Sequence, residues 1–437
     1  MSVVAMCVTC VAGAPDSASR KFIFPLADVP FSAQTERLSI MTMRQATDIS
    51  ASLLQCTYPY VAGDIWDRLA GGNIARLAAI TGYTALAFNA PLSQSWRPGQ
   101  MQPGPKNSSV NVLFNKSGPF DLFGGPLMMN QYSDSELTQL KRRHPADVIR
   151  AHTIGYELGN ALNSRLLEDA FFYGTDPVYP VLWLSSLYAT GLVFYSARVT
   201  ADSAIEKNNR FLAQAAGIGF TGLDFTSWVY DLERPDDPYY QRANTGRSID
   251  IARGVPGSAL SGAEKEFLNL QGFLSFLNWI DPQWFTLEPL RVLFGNKEIH
   301  FDPKFAHNVT PFGYSLEGKV LCRSPDLRMF GTLRIYRSRN LTLPGFETGL
   351  VDWPLRIFKK DCSISPRMSS WLQPKNQRFD AQKSVPGAQA ALRLNVPVGE
   401  NVQCWSEADA KSTGWVAGND YLDASLNFRL GIQMLFK

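Results

Sequence analysis

The sequence has little charge, and the charge it has is nearly balanced. Asp, Glu, Lys and Arg make up 19% of the 437 residues, against roughly 25% in a typical soluble domain. The net charge is only +3, and the Lys and Arg residues are scattered along the chain. Nucleic-acid-binding proteins usually carry a clustered basic surface, so we expect no nucleic-acid partner.

Cysteine and histidine are scarce as well, and the common catalytic motifs are missing. The six cysteines and four histidines have no spacing typical of a zinc site or a disulfide scaffold. The sequence has no HExxH, no glycine-rich phosphate loop and no GxSxG, which mark metalloproteases, nucleotide-binding proteins and serine hydrolases. We therefore predict no metal and no cofactor. Because these motifs are absent, the sequence indicates no particular enzyme.

The patterns that are present divide the chain into three parts. Residues 1–20 resemble a secretory signal, because an apolar run ends in Ala12-Gly13-Ala14 and polar residues follow at once. Residues 21–285 are mainly helical in period, apart from a short strand predicted at 21–26. Residues 286–437 have the period of two that is typical of β-strands. The helices predicted in the middle part are 34–56, 64–90, 145–173, 178–198, 201–230 and 263–280.

The stretch 177–197 contains no charged residue over 21 positions. That length could span a membrane as a helix. Two prolines, three serines and a glycine offset much of its hydrophobicity. The sequence therefore favours a helix buried within the protein over one that spans lipid, and both alternatives stay open.

The clearest strand pattern lies at the end of the chain. Between positions 422 and 436, apolar residues occupy every second position, and fourteen of the fifteen positions keep the alternation. Strands of soluble proteins average about five or six residues, so this length suits a strand that crosses a bilayer at a tilt. The residues predicted to face the membrane are Leu426, Phe428, Leu430, Ile432, Met434 and Phe436.

This final strand resembles the C-terminal signal of bacterial outer-membrane β-barrel proteins, which closes on an aromatic residue, here Phe436. The segment before it is similar to a hairpin connection that carries interfacial aromatic residues, Trp415 and Tyr421. The resemblance covers about the last third of the chain and implies the outer membrane of a Gram-negative bacterium. It implies the lipid bilayer, the outer-membrane assembly machinery and other envelope proteins as partners.

One predicted helix carries the densest set of groups capable of chemistry. His152, Tyr156 and Asn160 are four residues apart, so they share one face of the helix 145–173. Asp224, in a later apolar segment, could lie opposite. These residues could transfer a proton or bind a ligand, or they could form a polar stripe that packs helices together, which the sequence favours.

Together the patterns predict an α+β membrane protein. Its N-terminal two thirds would be helical, and its C-terminal part would be an antiparallel transmembrane β-barrel of about eight or more strands. The favoured function is an integral outer-membrane protein that acts as channel, transporter or scaffold subunit of an envelope assembly. Two alternatives remain: an outer-membrane enzyme acting on lipid or peptidoglycan through the His152 face, and a polytopic helical inner-membrane protein with a soluble β domain.

Overall fold

A computed structural model of the chain describes residues 20–32, 42–59, 134–174, 224–237, 254–280, 289–294, 297–357 and 359–436, with the single positions 194, 197, 202, 203 and 205. Several segments interpreted from the sequence lie outside these residues: nearly all of 1–20, all of 64–90, and most of 177–197, 178–198 and 201–230.

The described strands form one antiparallel sheet of eleven strands. Strand β1 (Arg20–Ser32) comes from near the start of the chain and pairs along its length with the last strand, β11 (Ser425–Phe436). The short strand predicted at 21–26 is therefore confirmed, and it is longer than predicted. The other strands are β2 (Leu290–Phe294), β3 (Lys297–Thr310), β4 (Gly313–Arg323), β5 (Arg328–Arg337), β6 (Thr342–Leu350), β7 (Trp353–Ile357), β8 (Lys360–Pro374), β9 (Ser384–Pro397) and β10 (Val402–Lys411).

Strands that follow one another in sequence are mostly neighbours in the sheet. The order is β1-β11-β10-β9-β8-β6-β5-β4-β3-β2, and the short β7 pairs with β8. Antiparallel neighbours can be joined by tight connections. We call the end of the sheet with the turns 324–327 and 398–401 the turn end, and the end with the longer connections 375–383 and 412–424 the loop end.

Six α-helices are described: α1 (Met43–Pro59), α2 (Asp134–Arg143), α3 (Pro145–Ala151), α4 (Ile154–Tyr173), α5 (Phe225–Glu233) and α6 (Gly262–Leu274), the last continued by a 3₁₀ turn, Ser275–Trp279. Helix α6 begins at a capping box, in which the side chains of Ser261 and Glu264 each accept the other's backbone N–H. The single helix predicted over 145–173 is instead two helices, because the backbone leaves helical geometry at Thr153, with φ −122° and ψ 3°. Among the helices in the described ranges, none is both long and apolar enough to cross a membrane.

The exposed face of the sheet is largely apolar. In β11, Leu426, Phe428 and Leu430 are 41%, 47% and 48% exposed, while Asn427 and Arg429 between them are buried. The same arrangement recurs across the sheet, with exposed Phe24, Phe305, Val320, Leu333, Ile335, Phe346, Met368 and Leu392. A soluble antiparallel sheet instead turns its apolar face to the core and its polar face to water.

Helix α4 runs along the buried, polar face of the sheet from one end to the other. In its first turn, Glu157 bonds the connection 412–424 at the loop end. In its last turn, the carbonyl oxygen of Phe171 accepts a hydrogen bond from Arg323, 2.7 Å away at the turn end. The 20-residue helix is about 30 Å long, so it spans the full height of the sheet.

Candidate functional site

Charged side chains follow one another across the polar face of the sheet. Glu317 of β4 lies directly opposite Arg334 of β5, at 3.0 Å between Oε1 and Nε. Glu407 of β10 lies between Arg393 of β9 and Arg429 of β11, and it pairs with both. Opposite charges at facing positions of neighbouring strands attract each other, so these rows of alternating charge stabilise the pairing of the strands.

Helices α1 and α4 extend this network away from the wall. Arg44 of α1 lies 3.2 Å from Asp409 and 3.7 Å from Glu407, both on β10. One turn later on the same helix, Asp48 lies 3.7 Å from Arg165 of α4. The two helices are therefore joined to the sheet and to each other by ion pairs.

A cavity of about 270 Å³ remains between these helices and the sheet. Its walls come from α1, α4 and the polar face of β3 to β6 and β8 to β11. Eight basic and seven acidic side chains line it, which leaves one positive charge in excess when all of them are ionised. Charges in an interior must be paired or hydrated, so this volume suits water and small polar solutes.

A buried ion pair fastens the connection 412–424 to the helices at the loop end. Arg150 of α3 donates from Nε to Glu157 Oε2 at 2.8 Å. Glu157 also accepts hydrogen bonds from the Trp415 indole at 3.2 Å and from the Gly418 backbone N–H at 3.0 Å. Arg150 in turn donates to the carbonyl oxygen of Asp420 at 3.1 Å. No local sequence pattern marks this cluster, because its members are up to 270 positions apart.

Trp415 and Tyr421 do not lie at an exposed surface. Both side chains are buried, and Trp415 packs edge-to-face against Tyr336 with ring centroids 6.3 Å apart. The indole N–H of Trp415 donates to Glu157 in the interior. This corrects the expectation that the two aromatic residues form an interfacial pair.

The four residues predicted to share a site lie in two groups, His152 with Asp224 and Tyr156 with Asn160. His152 is buried, with Nε2 2.9 Å from one carboxylate oxygen of Asp231, while Lys141 Nζ lies 2.8 Å from the other oxygen. Asp224 contacts His152 through its backbone, since its N–H donates to the His152 carbonyl oxygen at 2.9 Å. It caps α5 by accepting the Ser227 backbone N–H at 3.1 Å.

Tyr156 and Asn160, the other two predicted residues, contact the backbone of β3. The Tyr156 hydroxyl lies 3.0 Å from His307 Nδ1, and Asn160 Nδ2 donates to the His307 carbonyl oxygen at 2.9 Å. Asn278 bonds the same residue at both backbone groups, with its Oδ1 2.5 Å from His307 N and its Nδ2 3.3 Å from His307 O. The Asn278 side chain thus bonds the backbone N–H and C=O of His307 as a neighbouring strand would.

The backbone of β1 is bonded in the same manner. Ser52 of α1 accepts the Ile23 N–H at 2.8 Å and donates to the Ile23 carbonyl oxygen at 3.0 Å. Backbone N–H and C=O groups away from water need hydrogen-bond partners within the protein. Helix side chains therefore supply backbone partners near both outermost parts of the described sheet.

We expect His152→Ala to destabilise the protein by about 1–3 kcal/mol, because a buried carboxylate oxygen of Asp231 loses a hydrogen bond. The free energy of unfolding of the full chain in detergent measures this. His144→Ala is the control, because His144 is partly exposed and its contact with Asp147, at 3.7 Å, is longer than a hydrogen bond. Equal stability of the His152→Ala variant and the parent would contradict a structural role for His152.

Asp420 connects 412–424 to the start of α1, where its Oδ1 accepts the Met43 backbone N–H at 2.8 Å. Burial raises the pKa of this carboxyl group to about 7, and it outweighs the lowering by the Met43 hydrogen bond and by Arg150. The ordinary pKa is 3.8. The folded protein therefore holds this proton more tightly than the unfolded chain does.

This raised pKa predicts that the stability due to Asp420 is fully present below about pH 4. The stability is lost as the pH rises through about 7, and between these two pH values it falls by about 1.4 kcal/mol per pH unit. Asp420→Asn keeps an oxygen acceptor but does not titrate, so it should remove this slope. Unfolding free energies at pH 5 and pH 8 test this. The exposed Asp326→Asn is the control, and an unchanged pH dependence in Asp420→Asn would contradict the prediction.

Within the described ranges, no three His, Cys, Asp or Glu side chains are grouped so that they could hold a metal ion. No protein-family model matches the chain. A search of the curated proteins finds no match. A search of the solved structures finds similarity to a loop-deletion mutant of OmpT, an outer membrane protein of Vibrio cholerae, at 11% identity and a TM-score of 0.20. The match covers 33% of this chain and 51% of that one.

Proposed function

We propose that this chain is an integral outer-membrane protein whose sheet closes into a barrel, contacts lipid with its apolar face and encloses α1 and α4. The observation that carries the proposal is the inverted sheet, with Leu, Ile and Phe exposed outside and paired Arg, Glu and Asp inside. A contiguous apolar surface of this extent is a liability in water. In a bilayer the same surface is the lipid contact.

The dimensions and the ends of the sheet support the same proposal. The apolar band of outer-membrane barrels is about 25 Å tall, and α4, at about 30 Å, runs through that height.

The first residue of β1 and the last of β11 lie together at the turn end. Short turns of such barrels face the periplasm and longer loops face outward, so we place the turn end in the periplasm and the loop end outside.

The filled interior supports a role as a plugged channel or transporter. The ion pairs of α1 with the sheet and with α4 surround a cavity lined by charged side chains, which is what a plug with a polar passage beside it would have. A scaffold subunit of an envelope assembly would use the same fold with a fixed plug. The outer-membrane assembly machinery belongs to this proposal as the partner in insertion.

An enzymatic role through His152 has less support. Its side chain is buried and bonded to Asp231, so a lipid or peptidoglycan substrate has no route to the imidazole in the described structure.

The test is refolding of the full chain into detergent and lipid vesicles. We expect the unboiled protein to migrate differently from the boiled protein on a denaturing gel, because closed barrels resist detergent without heat. We also expect it to sediment with the vesicles after an alkaline wash. A protein that is monodisperse without detergent and shows no heat-dependent migration would contradict the proposal.

A further inference from the structure

Most acidic side chains of the cavity are engaged by cations. Glu347 of β6 receives a hydrogen bond from Arg334 at 2.5 Å. Glu168 of α4 pairs with Lys319 of β4. The negative charges of Glu347 and Glu168 are therefore balanced by neighbouring cations.

Arg367 of β8 is different, although it lies on the same polar face. Its Nε lies 3.6 Å from Oε1 of Glu347, beyond hydrogen-bond distance, while Arg334 donates to the other oxygen, Oε2. Arg367 makes no hydrogen bond to another residue that the structure describes, and 41% of its side chain is exposed. A guanidinium presents five N–H donors, so the donors of Arg367 are available to a molecule inside the cavity.

A second cation lies close to Arg367. The guanidinium carbon of Arg367 is 5.3 Å from the centroid of the Phe330 ring, and Lys319 Nζ is 5.0 Å from the same centroid. Phe330 lines the cavity with both of them. The ring thus has two positive groups within 5.3 Å of its centroid, and of these Lys319 hydrogen-bonds a carboxylate, Glu168, whereas Arg367 makes only the 3.6 Å ion pair with Glu347.

We propose that this cavity binds a small oxyanion, a carboxylate or a phosphate, with Arg367 as the main contact and Lys319 as a second charge. The planar fork of a guanidinium matches a pair of oxygen atoms on either anion. A volume of about 270 Å³ admits such an ion with a few waters. The one positive charge in excess among the lining residues has the matching sign. This inference names a solute class for the proposed plugged barrel, but binding itself requires only the cavity.

The test uses the full chain refolded in detergent at low ionic strength, titrated calorimetrically with inorganic phosphate and, separately, with succinate. We expect the parent to bind at least one of the two, which identifies the anion. Arg367→Gln should weaken that binding about tenfold or more, because a charge-assisted hydrogen bond is lost. Arg356→Gln is the matched control, since Arg356 lies exposed at the turn end and away from the cavity.

Binding of neither anion by the parent would overturn the inference, and so would equal affinity in the parent and Arg367→Gln. If Arg367→Gln does not refold, Arg367→Lys decides, because it keeps the charge and loses the fork. We expect it to bind several-fold more weakly than the parent, and unchanged affinity would exclude Arg367 as the main contact. A protein that binds the anion but does not enter vesicles would refute the proposed function and leave this site standing.

Discussion

Ala390→Arg is expected to prevent stable insertion of the protein into a bilayer, whereas Ala391→Arg is not. The two alanines are consecutive on β9. Ala390 is exposed on the apolar face, between Met368 of β8 and Ala410 of β10, and Ala391 lines the cavity. If the apolar face contacts lipid, an arginine at position 390 lies near mid-height of the sheet and costs about 2–4 kcal/mol. At position 391 the same side chain lies among charges of both signs.

The measurement is the fraction of each variant that reaches the heat-modifiable form and sediments with vesicles. Leu430→Arg should behave like Ala390→Arg, because Leu430 is also exposed on the apolar face. Equal yields for Ala390→Arg and Ala391→Arg would mean that the sheet has no lipid face. The barrel assignment would then give way to a soluble β domain.

Gly431, the neighbour of Leu430, is not a usable control. The sequence alternation predicts that arginine is better tolerated at 431 than at 430, because position 431 points to the interior. A Cβ atom there would lie 2.5 Å from the Phe24 carbonyl oxygen and 2.6 Å from the Trp405 ring. Backbone and indole leave no room for a side chain, so that expectation is corrected.

The alternating pattern could be read from the sequence because it is local. Side chains of a strand point to opposite faces in turn, so the pattern of 422–436 already separates Leu426 from Asn427, and the structure separates them in the same way. The side chain of Phe436 lies outside those described. The pairing of β1 with β11 joins residues about 400 positions apart and has no local signal.

The candidate site was harder to predict for a related reason. The spacing of His152, Tyr156 and Asn160 describes one face only if a single helix contains all three, and the turn at 152–153 separates His152 from the others. Alternation places Glu317 and Arg334 on the polar face of their strands. That they stand directly opposite each other depends on strand register, which the sequence alone leaves open.

Glu157→Ala is expected to destabilise the protein by about 3–5 kcal/mol, because it leaves the buried Arg150 guanidinium without its carboxylate. The Trp415 indole and the Gly418 N–H lose their acceptor in the same step. Unfolding free energies of the full chain measure the loss. Limited proteolysis should then show faster cleavage within 412–424, because this carboxylate holds that connection.

A matched pair of controls separates the buried charge from the packing around it. Asp236→Ala removes an exposed partner of Arg378 at the loop end, and we expect it to cost less than about 1 kcal/mol. The double variant Arg150→Met, Glu157→Leu removes both buried charges, and replacement of a buried ion pair by apolar residues is often close to neutral. We therefore expect the double variant to recover much of the stability that Glu157→Ala loses. A double variant as unstable as the single one would show that the hydrogen bonds to the connection, and not the unpaired guanidinium, account for the loss.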